Sequence, residues 1–255
     1  IDGENVIKFT SKEDLKKIRG GKVSMIFQEP MASFAPAIKI GDQMVEQLLL
    51  HKNIKKEEAK SISLDMLTRV GITDTEKRFN QYAFELSGGM RQRAMIAMAL
   101  STMPKLLLAD EPTTALDVTI QAQVLKLMKD IIKEYKMGVI FITHDLGVIA
   151  QTADQIAVMY LGCVVEKGSV NEILKNPKHP YTKGLIAALP DVNNLEAPLK
   201  PIPGNIPSPL ERPTNCVFRT RCPNPTHECK EGKTPMGLIE VSPGHWVDKC
   251  CVNCG

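Results

Sequence analysis

The sequence predicts an α/β fold built around a parallel sheet. Short apolar runs, typical of strands buried on both faces, alternate along the chain with segments of helical periodicity. The apolar runs 106–109 and 139–143 both end in acidic or histidine side chains. With 255 residues, 43% of them hydrophobic and 24% charged, the composition is ordinary for a globular protein. It excludes disorder over most of the length.

The composition also excludes several classes of protein. No apolar run approaches the roughly 20 residues of a membrane-spanning helix. The first residues lack the basic start and the apolar stretch of a secretion signal. The net charge of +3 comes without a basic stripe, so we expect no nucleic-acid partner. Because residue 1 is not methionine, we expect the chain to begin partway into a larger protein.

The elements follow from local patterns of apolar, capping and turn residues. In the first half we expect a strand at 23–27, two amphipathic helices over 41–70 with a break at Asn53 and Ile54, a helix capped by Ser87 that reaches about residue 100, and a strand at 106–109. In the second half we expect a helix over 117–135, a buried strand at 139–143, a helix capped by Asp145, strands at 155–160 and 164–167 that turn at Gly162, a proline-rich stretch at 190–213 and a cysteine-rich tail.

Three polar side chains should meet at one edge of the predicted sheet. Ligands of open parallel sheets bind outside the carboxyl ends of the strands, which here carry Asp110, Glu111 and His144. An Asp-Glu pair there suits a Mg-nucleotide site, because the first carboxylate can hold the metal and the second can orient a water. The plain alternative is a pair of solvated acids.

Ser87, which is followed by two glycines, has two possible roles. It predicts either an anion site at a helix N-terminus or a routine helix cap.

Five motifs in one order along the chain resemble those of ABC-type ATPases. They are the Q-loop Phe-Gln-Glu-Pro at 27–30, the signature Leu-Ser-Gly-Gly-Met at 86–90, the Walker B segment at 107–113, the D-loop Thr-Ala-Leu-Asp at 114–117 and the switch-histidine segment Ile-Thr-His-Asp at 142–145. The segments at 25–31 and 176–182 are similar to the ATP-binding subunits of oligopeptide, dipeptide and nickel importers. Pro-Ile-Pro-Gly at 201–204 and the cysteine tail resemble their C-terminal extension.

The resemblance implies an ABC-type ATPase core with a RecA-like parallel sheet, a helical subdomain and a small irregular cysteine-rich extension. The domains implied are an N-terminal core remnant with the Q-loop at 1–40, the helical subdomain at 41–100, the RecA-like core at 101–189 and the linker and metal-binding extension at 190–255. The family's Gly-x-x-x-x-Gly-Lys-Ser/Thr phosphate loop is absent. We therefore expect an N-terminal segment to be missing, and residues 1–255 alone to bind ATP weakly without hydrolysing it.

The resemblance also assigns roles to individual residues. Glu111 would polarise the attacking water, and His144 would contact the γ-phosphate. Asp110 and Gln28 would bind Mg²⁺. Ser87, Gly88 and Gly89 would contact ATP held by the opposite subunit, and Asp117 would bridge the two subunits. The implied partners are a second nucleotide-binding subunit, identical or different, and transmembrane permease subunits. The implied location is the cytoplasmic face of the membrane, as a peripheral subunit. The implied substrate is a di- or oligopeptide, or a related substrate such as nickel, although specificity lies in a binding protein and in the membrane subunits rather than in this chain.

The cysteine tail predicts a metal centre. Six of the seven cysteines lie in the last forty residues, and four thiolates suit either structural zinc or an iron–sulfur cluster. The resemblance favours a 4Fe–4S cluster on Cys216, Cys222, Cys229 and Cys250. The competitors for the fourth position are Cys251, Cys254 and, more weakly, His227 and His245. Free buried thiols are the plain alternative, and Cys163 is expected to be a core residue.

Two other functions stay open from sequence. One is a soluble ABC ATPase that acts on DNA or ribosomes, which the transporter-like segments and the missing basic patch disfavour. The other is a redox sensor in which a metal cluster sits on an ATPase body that has lost its activity.

Overall fold

The computed structural model describes residues 1, 3, 5, 6, 9, 11–113, 116–190, 200–234 and 237–253, apart from the side chains of Lys17, Val118, Val252 and Asn253. The chain forms two compact units, Ile1–Leu146 and Gly147–Gly255. Within the described residues, no helix combines the length and the apolar character needed to cross a bilayer. The division into four sequence segments stays a prediction.

The first unit alternates helices and strands. Its elements are α1 (Lys12–Ile18), β1 (Val23–Ile26), α2 (Pro30–Ser33), α3 (Ile40–His51), α4 (Lys56–Arg69), α5 (Thr75–Phe79), a 3-10 turn (Ala83–Glu85), α6 (Gly88–Ser101), β2 (Leu106–Asp110), α7 (Val118–Tyr135) and β3 (Gly138–Ile142). The two helices expected over 41–70 are confirmed as α3 and α4. The expected strand at 23–27 ends one residue earlier than predicted.

The three strands of the first unit form the expected parallel sheet. Their order is β1-β2-β3, with Ile26 opposite Ala109 and Asp110 opposite Ile142. This order places the carboxyl ends of all three strands at one edge. Helices α3, α4 and α6 pack on one another, and α6 also contacts β1. Their buried side chains share one apolar core with the strands.

The strand predicted at 139–143 is present as β3, but the prediction that it is buried on both faces is wrong. Ile140 and Ile142 are each 50% exposed. Val139 and Phe141, on the other face of β3, pack against the apolar core. The described core covers only one face of this strand, so its side chains alternate between half-buried and exposed.

The second unit contains short helices and an antiparallel sheet. Its elements are α8 (Leu146–Thr152), β4 (Gln155–Tyr160), β5 (Cys163–Ser169), α9 (Val170–Lys175), α10 (Pro180–Ala187), a 3-10 turn (Pro209–Glu211), α11 (His227–Glu231), β6 (Leu238–Ser242), β7 (His245–Asp248) and a 3-10 turn (Lys249–Asn253). The predicted turn between β4 and β5 is confirmed. Leu161 and Gly162 both have positive φ, 45° and 76°, as a two-residue hairpin loop requires.

The cysteine-rich tail belongs to the core of the second unit. The sheet order β4-β5-β7-β6 pairs tail strand β7 with β5, and Val247 lies opposite Glu166. Phe218 is buried, with its ring centroid 5.2 Å from that of Tyr160 and 5.5 Å from that of Tyr181. The tail has few large apolar side chains of its own, and it gains its core by packing on β4, β5 and α10.

A buried histidine caps α10. His179 precedes Pro180, and its Nδ1 accepts a hydrogen bond from the Tyr181 N–H at 3.1 Å. The side chain is fully buried. Burial lowers the pKa of His179 from its usual 6.5 to about 4, although Glu166 acts in the opposite direction. The folded protein therefore holds this histidine neutral at pH values where an unfolded chain protonates it.

We expect the second unit to lose stability as the pH falls from about 6.5 to 4. In that window the unfolded chain binds a proton at His179 that the folded chain does not bind. This difference lowers the free energy of unfolding by about 3 kcal/mol across the window. Urea unfolding followed by the fluorescence of Trp246, the sole tryptophan, measures the change. His179→Asn is the control, because asparagine caps a helix equally well without titrating. An unchanged pH slope in that variant would contradict the assignment.

Candidate functional site

Three polar side chains meet at the carboxyl ends of the parallel strands. Gln28 follows β1, Glu111 follows β2 directly, and His144 follows β3. The amide Nε2 of Gln28 donates to Glu111 Oε2 at 2.9 Å, and His144 Nδ1 lies 3.0 Å from Glu111 Oε1. The convergence predicted for Glu111 and His144 is therefore present, and Gln28 joins it. The carboxylate of Glu111 therefore contacts the amide of Gln28 through one oxygen and the imidazole of His144 through the other.

The backbone fixes the position of this carboxylate. Glu111 has a positive φ of 44°, a conformation that costs a non-glycine residue about 1–3 kcal/mol and that clusters at functional sites. Its N–H donates to the carbonyl of Ile142 at 2.8 Å, which ties the turn to the end of β3. The Glu111 side chain is 19% exposed and that of His144 is 75% exposed. The site is thus open to a ligand, and its carboxylate is held in place.

Asp110 is the last residue of β2 and is half-buried. With Glu111 and the Gln28 side-chain carbonyl it supplies the oxygen donors that Mg²⁺ prefers in proteins. The donor types at this edge of the sheet therefore fit a Mg-nucleotide.

The signature segment forms a helix N-terminus. Ser87 caps the 14-residue α6, and its Oγ accepts a hydrogen bond from the Met90 N–H at 3.3 Å. A Cβ added at Gly88 would meet no atom within 4 Å, so the approach to the helix end is clear. The first N–H groups of a helix have no intrahelical acceptor and favour anions. The predicted N-cap is confirmed.

Asp117 has a local partner in this structure. Its Oδ1 accepts from the Ile120 N–H at 2.9 Å and caps α7. The preceding D-loop residues Thr114 and Ala115 lie outside the described part of the chain.

Sequence reasoning missed Gln92. This side chain on α6 is fully buried, and its Nε2 donates to the carbonyl of Pro112. The contact ties the helix that begins at the signature segment to the turn that presents Glu111. The sequence offers no signal for it, because Gln92 stands between Arg91 and Arg93.

Five of the tail cysteines gather in one apolar cluster of the second unit. Cys216, Cys229, Cys250 and Cys251 are buried, and Cys222 packs against them half-buried. None of these five cysteines forms a disulfide. The Cys216 thiol hydrogen-bonds with that of Cys250, and the Sγ atoms of Cys250 and Cys251 are 3.5 Å apart. Cys254 lies outside the described residues.

The environments of Cys216, Cys222 and Cys250 raise the pKa values of their thiols. The hydrogen bond with Cys250, followed by burial, raises the pKa of Cys216. The contact with Cys216 lowers the pKa of Cys250, but the Cys251 thiol and burial outweigh it and raise that pKa. Burial also raises the pKa of Cys222, with smaller contributions from Cys216 and Cys229. At these three positions the structure therefore favours the thiol over the thiolate.

An oxygen donor lies among these sulfurs. The Sγ atoms of Cys216 and Cys250 and a carboxylate oxygen of Asp248 are all within 4.8 Å of one another. Cys222 and Cys229 are not part of that close group. The sequence analysis did not single out Asp248, which lies only two residues before Cys250.

The histidine competitors have other partners. His245 is fully buried, with Nε2 2.7 Å from Glu166 Oε1 and Nδ1 3.0 Å from Glu172 Oε2. His227 is 84% exposed and pairs with Glu231. Both ring nitrogens of His245 are thus engaged by carboxylates.

Cys163 lies at the edge of the core that the sequence predicted for it. It is half-buried at the start of β5 and packs against the apolar cluster of the second unit. Nη2 of Arg212 donates to its Sγ at 2.6 Å.

Known proteins with the same sequence features define the class of this protein. The family model of the ABC transporter matches residues 1–114, and that of the oligopeptide/dipeptide transporter C-terminal region matches residues 165–229. The chain is an ABC transporter ATPase. Within that class it belongs to the family of oligopeptide/dipeptide transport ATP-binding proteins.

Individual relatives agree with this assignment. The oligopeptide transport ATP-binding protein AppD of Bacillus subtilis is 48% identical over 229 residues, which cover 90% of this chain and 70% of that protein. The dipeptide transport ATP-binding protein DppD of the same organism is 47% identical over 246 residues, covering 96% and 71%. The dimeric ATP-binding cassette MJ0796 bound to ADP and Pi superposes with a TM-score of 0.61 at 27% identity, over 67% of this chain and 72% of that one.

Proposed function

We propose that this chain, in a subunit that also carries the family's phosphate-binding loop, performs the ATP hydrolysis that powers the import of di- or oligopeptides by a membrane ABC transporter. The observation that carries the proposal is the carboxylate of Glu111, held between Gln28 and His144 at the end of the parallel sheet. The kinship with oligopeptide and dipeptide transport ATP-binding proteins supports the transported class.

In this proposal Glu111 is the general base. Its carboxylate accepts the proton of a water that attacks the γ-phosphate, while Gln28 and His144 fix the direction of its two oxygens. Asp110, one residue earlier, lies on the strand side of the same turn and holds Mg²⁺ together with Gln28. Bound Mg²⁺ neutralises charge on the phosphate oxygens. His144, whose side chain is 75% exposed, reaches the γ-phosphate.

The signature helix serves a second ATP molecule. The N-terminus of α6, with Ser87, Gly88 and Gly89, offers backbone N–H groups and a favourable dipole to a phosphate. We assign these groups to ATP held by an opposite nucleotide-binding subunit, so that two subunits close on two ATP molecules. Asp117 lies at that interface. The dimeric state of MJ0796 supports such an arrangement.

Permease subunits complete the assembly. Helices α3 and α4 are the part of the first unit that we assign to contact with the permease, and the loop of Gln28 joins that contact. No nucleic-acid partner is proposed. The subunit would then lie peripherally at the cytoplasmic face of the membrane.

The tail is proposed to hold a metal group that stabilises it. The sequence resemblance favours a 4Fe–4S cluster on Cys216, Cys222, Cys229 and Cys250, with zinc as the alternative. The donor chemistry fits, because these four thiols lie in one apolar cluster and none of them forms a disulfide. A bound group would add crosslinks to a segment with a small apolar core of its own. We assign it a structural role.

A growth experiment tests the transport function. Cells in which this subunit is the only peptide-import ATPase should grow on a peptide as the sole source of a required amino acid. His144→Ala should abolish that growth, and His227→Ala, at an exposed histidine of the second unit, should preserve it. Growth of the His144→Ala strain at the normal rate would contradict the proposal.

A further inference from the structure

The turn that presents Glu111 is tied to the rest of the first unit on both sides of that residue. On one side, the Glu111 N–H donates to the carbonyl of Ile142 at 2.8 Å. On the other side, the carbonyl of Pro112 accepts from Nε2 of Gln92, a fully buried side chain on α6. A non-glycine residue keeps a positive φ, here 44°, only where its surroundings enforce it. The two hydrogen bonds supply that restraint.

The chemistry of the contact fixes which end of the Gln92 amide faces the turn. Proline has no backbone N–H, so the carbonyl is the only hydrogen-bonding group of Pro112. Pro112 is buried, and its carbonyl can be satisfied only by the NH₂ end of the amide. The other end, Oε1, is buried without a hydrogen-bond partner among the described residues. Because a buried unpaired acceptor is destabilising, stability alone does not account for an amide at this position.

The same helix also contacts the segment that follows Gln28. The Ser33 hydroxyl donates to the Sδ of Met95 at 3.0 Å. Ser33 ends α2, a four-residue helix that begins two residues after Gln28. Met95 is three residues after Gln92, so the two side chains share a face of α6. That face therefore contacts the segments behind both partners of the Gln28–Glu111 hydrogen bond.

Helix α6 begins at the signature segment, about one turn before Gln92. Ser87 caps the helix, and a Cβ added at Gly89 would lie 3.5 Å from the side chain of Leu116, four residues after Pro112. Gly89 and Gln92 are three residues apart and share a face of the helix. The first turns of α6 thus pack along the chain that leaves Glu111, and the signature segment is joined to the Glu111 turn by short contacts.

We propose that Gln92 is a positioning residue, which holds the Glu111 carboxylate where it can accept the proton of the attacking water. The inference rests on the proposed function, because it takes Glu111 as the general base and the signature segment as the contact with ATP of the opposite subunit. Gln92 does not touch the reacting atoms. It acts through the Pro112 carbonyl, so that the position of α6 against the second ATP sets the position of the base.

Turnover of Gln92→Met tests the inference in a subunit that carries the family's phosphate-binding loop. Methionine keeps an unbranched side chain and a high helix propensity, but it has no N–H to donate. We expect kcat to fall about ten- to a hundredfold with an unchanged KM for Mg-ATP, because a misplaced catalytic group slows the chemical step. The urea midpoint should change little, since the unpaired Pro112 carbonyl then takes the place of the unpaired Gln92 Oε1.

A double variant separates positioning from general damage to the fold. In Glu111→Gln the base is already absent, so adding Gln92→Met should lower the residual single-turnover rate by less than about twofold. Ser101→Ala is the matched control, because the buried Ser101 hydroxyl donates to the carbonyl of Met98 within the same helix. That variant should retain the parent kcat.

Three results would overturn the inference. They are a parent-like kcat in Gln92→Met, a loss that adds in full to that of Glu111→Gln, and a fall in the urea midpoint large enough to unfold Gln92→Met in the assay. Each of these leaves the proposed function in place as long as Glu111→Gln by itself lowers turnover. Normal turnover by Glu111→Gln would instead contradict the proposed function.

Discussion

Glu111→Gln should lower ATP turnover by about 10²–10⁴-fold while ATP binding is retained. The amide keeps the size and the position of the carboxylate but cannot accept a proton from water. Gln28 and His144 hold both oxygens of the native side chain, so the change removes the base without removing its surroundings. ATP that binds without being hydrolysed should then trap the closed dimer.

Steady-state turnover and size-exclusion chromatography with Mg-ATP measure the two effects. The assay needs a subunit that carries the family's phosphate-binding loop. Glu76→Gln is a matched control, because Glu76 is exposed and its carboxylate forms a surface ion pair with Lys60. Near-normal turnover by Glu111→Gln would contradict the assignment of Glu111 as the general base.

Anaerobically purified protein should be brown and contain about four irons per chain. Cys216→Ser, Cys222→Ser and Cys229→Ser should each bleach it. Loss of the group should also loosen the tail, since these cysteines lie in the apolar cluster that joins the tail to β4 and β5. Cys163→Ser is the control, because that thiol contacts Arg212 and lies outside the predicted ligand set.

Each alternative for the cluster has its own outcome. Colourless protein that binds only zinc would overturn the iron–sulfur assignment. The proposal that a metal crosslinks the tail would still hold. If Cys250→Ser stays brown while Cys251→Ser or Cys254→Ser is bleached, the fourth ligand has been misassigned.

Much of the polar cluster at the edge of the parallel sheet could be predicted, because local rules determine it. Strand ends carry Gln28, Glu111 and His144, and parallel strands bring their carboxyl ends to one edge. Ser87 reads as a helix cap from its own type and from the helix formers after it. Neither inference requires knowledge of a distant contact.

The features that the sequence predicted wrongly or missed depend on contacts between distant segments of the chain. The burial of β3 depends on which of its faces the helices cover, which periodicity does not reveal. The contact of Gln92 with Pro112 joins residues 20 apart, and the approach of Asp248 to Cys216 joins residues farther apart still. An aspartate near a cysteine is ordinary in sequence. What distinguishes Asp248 is its buried Oδ1, which has no hydrogen-bond partner in the part of the chain that the structure describes.

Peptide uptake by proteoliposomes tests the central claim most directly. The subunit is assembled with its permease partners, and uptake of a labelled peptide is followed with Mg-ATP on the side of the ATPase. We expect uptake to require hydrolysable ATP and to disappear with Glu111→Gln while Glu76→Gln transports normally. Uptake that continues with Glu111→Gln, or that proceeds without ATP, would contradict the assignment of this chain as the ATP-hydrolysing subunit that powers peptide import.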